Sequence, residues 1–202
     1  MSDNNKNYNK LQLKKQIRDL RKNIKGTINQ IEHLDNDELL RVALFKRLDN
    51  LYHELETIKD TLIESGCSYP ITKTELSAQK FDDDIVNIRK MVYVIEEFPT
   101  KTSSIIYNSE GDNLVIESKT NYLFNGAKER HNILTKDDFY QCLRDLKVSC
   151  WKRNYGSRSE DNNSKWSLKF FYFNQDECLK ISGSDIFPYN FEEFKTRLKI
   201  NI

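Results

Sequence analysis

Three histidines, His33, His53 and His131, are the side chains of this sequence with unperturbed titration near neutral pH. His33 and His53 fall in stretches of helical periodicity, each flanked by polar residues, and are expected to be solvated beside an apolar seam. His131 lies in Glu129-Arg130-His131, within a polar stretch that reads as a loop. A general base must reach the proton it abstracts, and no nucleophile pattern accompanies His131. Asp82-Asp83-Asp84 could coordinate a hard cation, but it lacks the glycine and the distant glutamate of a calcium loop; a solvated acidic connector is expected. Cys67, Cys142, Cys150 and Cys178 form no C-x-x-C and no zinc spacing. They are expected to be reduced thiols of a cytoplasmic protein. The sequence has no P-loop, G-x-G-x-x-G, H-E-x-x-H or G-x-S-x-G. These residues predict no catalysis, no metal and no cofactor.

Two basic features could bind rather than react. Lys14, Lys15, Arg18, Arg21, Lys22 and Lys25 cluster on the first helical stretch, and the steps 14, 18, 21, 25 put one row on a single face. Such a row is a solvated face, a partner for acids on a second helix, or a contact for phosphates. Four phosphate contacts would give log affinity a slope of roughly −3.6 against log salt. The second feature runs from Trp151 to Arg158. Trp151, Lys152, Arg153, Tyr155 and Arg158 mix aromatic and cationic groups as single-stranded nucleic-acid platforms do. Trp151 and Tyr155 read equally as core or strand residues, and arginine with aromatics is also the composition of protein hot spots.

The elements that would position these groups fall into two halves. In the first, apolar residues recur at Leu13, Ile17, Leu20, Ile24, Ile31 and Leu34, with Thr27 at the missing seam position. A second seam runs Leu44, Leu48, Leu51, Leu55, Ile58, Leu62. Both follow the 4,3 heptad alternation of a coiled coil. An unbroken helix would place Glu38 and Arg41 in the core, so a turn is expected at Asp35–Asp37, with Asp35 and Glu38 resembling a capping box. Gly66 is the expected stop. Residues 6–34 carry a net +6 and residues 35–64 a net −4, which favours an antiparallel hairpin over one long kinked helix. A lone helix pair has little core, so these seam residues are expected to mediate oligomerisation, as a dimer or four-helix arrangement.

Residues 67–84 read as a linker with one short helical turn, and residues 85–202 as an α+β domain. Ile88, Met91, Ile95 and Phe98 fit a helix, whereas Met91 to Ile95 has the composition of a buried strand, and the strand is the reading preferred. Ser104–Tyr107 and Leu114–Glu117 read as a hairpin. Residues 118–132 look loop-like, with Tyr122-Leu123-Phe124 as a short strand. Thr135 is the expected N-cap of a helix carrying Phe139, Cys142, Leu143 and Leu146. Trp166, Leu168, Phe170 and Tyr172 alternate as in a strand, Glu177–Ile181 returns beside it, and Phe191, Phe194 and Leu198 mark a last helix. The expected fold class is therefore α+β: a helical hairpin or coiled coil, then four or five antiparallel strands with two packed helices.

Composition agrees. Of 202 residues, 38% are hydrophobic and 31% charged, with a net charge of +1. Leu, Ile, Val and Phe make up 55 of the 202, above the level at which chains stay disordered. The near-zero net charge offers no global field for nucleic acid. The N-terminus has no apolar h-region and no apolar run approaches the roughly 20 residues that span a bilayer, so neither a secretory signal nor a membrane contact is expected.

Trp151, the Trp166-Ser167-Leu168 strand and the run Gly183-Ser184-Asp185-Ile186-Phe187-Pro188-Tyr189-Asn190-Phe191-Glu192-Glu193-Phe194 resemble a small α+β domain of uncharacterised Gram-positive bacterial and mobile-element proteins. The resemblance covers residues 135–200. That domain has no assigned activity, so it carries over no functional residue. Physically, Gly183 is expected to supply a positive φ or a close approach, and Pro188 to sit near the first turn of the last helix. The leading expectation is a non-catalytic intracellular interaction protein that oligomerises through its helices and binds a protein partner with its α+β domain. A narrower form, resting on the resemblance, is a mobile-element inhibitor of a host nucleic-acid enzyme. The alternative is a nucleic-acid-binding or replication-associated factor using the first helix and Trp151–Arg158.

Overall fold

The computed structural model describes residues 2–34, 37–97, 101–122, 128–156 and 164–200. It divides into two units, residues 1–72 and 73–202.

The first unit is a helical hairpin. Helix α1 (Ser2–Glu32) and helix α2 (Glu38–Glu64) pack against each other. The N-cap of α2 is Asp37, whose carboxylate accepts from the Leu40 N–H at 2.9 Å, two residues later than the Asp35 capping box anticipated; Asp35 itself lies outside the described residues. The far end is a Schellman motif. Gly66 has φ +75°, its N–H donates to Ile63 O, and the Cys67 N–H donates to Leu62 O.

Ile17, Leu20, Ile24, Ile31, Leu44, Leu48, Leu55 and Leu62 are buried, as is Thr27, while Leu13, Leu34, Leu51 and Ile58 are half-buried. These seam residues pack between α1 and α2 within one chain, as the antiparallel hairpin requires. The segment after Gly66 also turns back: Arg21 Nη2 donates to Pro70 O at 2.8 Å.

The second unit is α+β. Helix α3 (Lys73–Asp84) is followed by a 3-10 turn (Ile85–Asn87). Then come strands β1 (Ile88–Glu97), β2 (Lys101–Glu110), β3 (Asn113–Tyr122) and β4 (Lys128–Thr135), and helix α4 (Lys136–Asp145). A second 3-10 turn (Val148–Cys150), β5 (Asn154–Tyr155), β6 (Ser164–Tyr172), β7 (Leu179–Ser184) and helix α5 (Phe191–Arg197) complete it. The strands form one sheet in the order β4-β3-β2-β1-β6-β7-β5, antiparallel throughout except for the short parallel pair β5/β7.

Alternation places Met91, Tyr93, Ile105, Tyr107, Leu114, Ile116, Leu168 and Phe170 on one face, in a single core with Phe81 of α3, Phe139 and Leu143 of α4, and Phe191 and Phe194 of α5. Burial raises the phenol pKa of Tyr93 and Tyr107. Tyr107 Oη donates to Leu198 O and so ties β2 to the chain end.

The second unit is richer than the pattern implied, with seven strands and three α-helices among its described residues. The 67–84 linker is largely α3, because Ala78 and Phe81 bury one side of an otherwise polar helix. The loop-like stretch 118–132 continues β3 and supplies most of β4, whereas Leu123 and Phe124 lie outside the described residues. Strand β4 is an edge, and polar, charged edges carry little alternation signal. Thr135 caps α4 as expected, accepting from the Asp138 N–H at 3.1 Å.

Candidate functional site

The groups singled out for chemistry prove mostly structural. His33 is exposed, with Nδ1 2.9 Å from Asn29 O, and His53 is exposed on α2. His131 stands in strand β4 opposite Glu117 rather than in a loop, since β4 pairs along the whole of that stretch. The four cysteines are free thiols. Burial pushes Cys142 up to about 11 and raises Cys150 as well, the opposite of what activates a nucleophile. Among the described residues no cluster of three His, Cys, Asp or Glu could hold a metal ion.

Asp82-Asp83-Asp84 closes α3 instead of crossing a linker. Asp82 Oδ2 accepts from Ser149 Oγ at 3.1 Å, while Oδ1 is buried without a hydrogen-bond partner. Burial raises this carboxyl above its usual value, against the lowering influence of Ser149 and Arg144. Asp84 Oδ2 accepts from Gln175 Nε2 at 3.1 Å. These acids hold α3 to the sheet.

The Trp151–Arg158 segment is taken apart by the fold. Trp151 is buried, stacks edge-on against Phe194, and donates from Nε1 to Asn190 Oδ1 at 2.9 Å. Asn190 Nδ2 in turn donates to Leu146 O at 2.8 Å. Tyr155 is buried, and its Oη accepts from the Lys152 N–H at 2.9 Å. Both rings are therefore largely committed to the core rather than displayed side by side on the surface. Lys152 sits 5.5 Å from the Tyr155 ring centroid. Arg153 lines a recess of about 250 Å³ with Asp84, Tyr172 and Glu177, and burial lowers its pKa. Arg158 lies outside the described residues.

The basic row of α1 survives in part. Arg21 is committed to Pro70 O and lies 4.8 Å over the Tyr69 ring. Lys14, Lys15, Arg18, Lys22 and Lys25 are exposed, and no salt bridge within the described residues engages them. The anticipated pairing with acids of the second helix is not seen for these five.

A feature missed by sequence reasoning lies on the face of the sheet turned away from the core helices. There, β1, β6, β7 and β5 line a groove of about 660 Å³, within the range of ligand-sized clefts. Its lining includes Ser167, Ser182 and Ser184, the amide of Asn154, Val94 and Glu96, with the ammonium groups of Lys165 and Lys180. Small residues make the hollow. Ser167 and Ser182 are direct cross-strand partners.

Gly156, at φ +97°, lets β5 approach the backbone of Ser184, where a Cβ would clash. Gly183 has no positive φ; it permits a close approach. A Cβ there would stand 2.7 Å from Trp166 Nε1 and 2.8 Å from Ile186 O, the two atoms that hydrogen-bond to each other at 2.9 Å. The available signal was the serine and lysine alternation out of phase with the core positions of β6 and β7.

Protein-family models, curated proteins and solved structures give no match to this chain. No helix among the described residues is long and apolar enough to cross a membrane.

Proposed function

We propose that the protein is a non-catalytic interaction protein whose α+β unit holds a protein partner in the groove on the uncovered face of its sheet. The groove carries the reading: a concave surface of about 660 Å³ on a mostly antiparallel sheet, with hydroxyl, amide and charged groups arranged on adjacent strands. Polar groups on rigid elements orient a partner and set its specificity. The four free thiols fit a reducing compartment, so the site of action is the cytoplasm. The resemblance of residues 135–200 to mobile-element domains adds a narrower form, in which the partner is a host nucleic-acid enzyme that the protein inhibits.

The test is affinity capture from the native cell after nuclease treatment, comparing the wild-type chain with Ser182→Trp, which fills the groove from the solvent side. A protein retained by the wild type and lost with the variant, at unchanged circular dichroism, supports the proposal. Equal retention by both overturns it.

A further inference from the structure

We infer that the outer face of α1 binds the phosphate backbone of double-stranded DNA. This face shares no residue with the groove. At 100° per residue, Lys14, Lys15, Arg18, Arg21, Lys22 and Lys25 occupy an arc of about 120°, centred roughly 125° from the Ile17–Leu20–Ile24 seam. The seam faces α2, which bears the acids of the hairpin, so the arc points away from them. Asp19, the one acid between Lys10 and Lys25, falls outside the arc.

Five of the six side chains are exposed and unengaged by salt bridges among the described residues. The sixth, Arg21, is held by Pro70 and Tyr69 and is left out of the site.

The chemistry selects the partner. From Lys14 to Lys25 the row is about 17 Å long at 1.5 Å per residue, a length over which a DNA duplex carries about ten phosphates. The arc itself holds no aromatic ring, and Trp151 and Tyr155 are buried elsewhere. Stacking on single-stranded bases is therefore not provided for. A protein hot spot would need a buried aromatic or arginine anchor within the patch, whereas here the one anchored arginine serves its own chain. The major groove of B-form DNA admits an α-helix, and the five remaining long cations, spread over an arc of about 100°, would face its phosphate walls. The deep, narrow major groove of duplex RNA does not admit it. No base-reading constellation accompanies the lysines, so the contact is independent of sequence.

The test is fluorescence anisotropy of the full chain with a labelled 24-base-pair DNA duplex of arbitrary sequence, titrated from 50 to 200 mM salt. Five phosphate contacts predict a slope of about −4.5 in log affinity against log salt, or roughly 500-fold weakening over that range. Lys14→Gln/Arg18→Gln/Lys25→Gln leaves two contacts and predicts a slope of about −1.8. Glutamine keeps helix propensity, so the thermal melt should not move. Three results overturn the inference: no salt-dependent binding by the wild type, the same slope for wild type and variant, or duplex RNA or single-stranded DNA bound as tightly as duplex DNA. Retention on heparin with no binding to the DNA duplex overturns it too, and assigns the arc to an acidic protein surface.

Discussion

Arg21 Nη2 donates to the Pro70 carbonyl at 2.8 Å, and the same guanidinium lies 4.8 Å over the Tyr69 ring. This relationship closes the hairpin. It brings the segment beyond Gly66 back to α1, and Lys59 of α2 lies 5.5 Å from the centroid of the same Tyr69 ring. The tie also separates one cation of α1 from its five exposed neighbours. Arginine suits the position because a planar guanidinium can stack on a ring while donating in its own plane.

Arg21→Ala should therefore destabilise the hairpin by about 2 kcal/mol, the sum expected for a charge-assisted hydrogen bond and a partly exposed cation–π contact. Chemical denaturation followed by circular dichroism at 222 nm measures it. Arg21→Lys should recover less than half, since an ammonium cannot make both contacts at once. Neither change should alter the salt slope for DNA. A steep loss of slope with Arg21→Lys would place this residue among the phosphate ligands instead.

Two adjacent residues of α1 offer stability tests with the same expected sign and different causes. Gly26 is exposed, and a Cβ there would meet nothing within 4 Å. Gly26→Ala should stabilise by about 1 kcal/mol through helix propensity alone. Thr27 is buried in the seam with its hydroxyl lacking a partner. Thr27→Val keeps the shape and removes a desolvated hydroxyl, for a gain of about 1 kcal/mol. Urea midpoints of the single and double variants check both. A loss of stability with Thr27→Val would show that the hydroxyl is hydrogen-bonded.

Asp82 gives a pH signature with a definite sign. Burial raises its carboxyl above the ordinary value of 3.8, against the lowering effect of the hydrogen bond from Ser149. The native state therefore binds this proton more tightly than the unfolded chain, and ionisation works against folding. Its unfavourable contribution is present in full above the raised pKa and fades as pH falls toward the ordinary value. Asp82→Asn should be favoured most, relative to wild type, at pH 7, with the difference shrinking as the pH is lowered toward 4. Denaturation curves across that range decide it. A difference that grows on acidification would mean the carboxylate is stabilised in the native state.

The features legible in the sequence are those whose physical cause is local. Heptad steps report a helix stripe because 3.6 residues make a turn, so Ile17, Leu20, Leu48 and Leu55 are identifiable as seam residues without any knowledge of what covers them. Gly66 and Thr135 act through backbone groups within a few residues. The alternation of Trp166, Leu168, Phe170 and Tyr172 follows from the two-residue period of a strand.

What the tertiary structure alone decided has a non-local cause. Arg21 finds its acceptor 49 residues away, Trp151 finds Asn190 39 residues away, and each encounter converts a candidate binding residue into a structural one. The heptad stripes meet each other because α2 packs back onto α1. The groove exists only once Ser167 of β6, Ser182 of β7 and Gly156 beside β5 stand on neighbouring strands, since a hollow is a property of several small side chains at once and no single segment contains it.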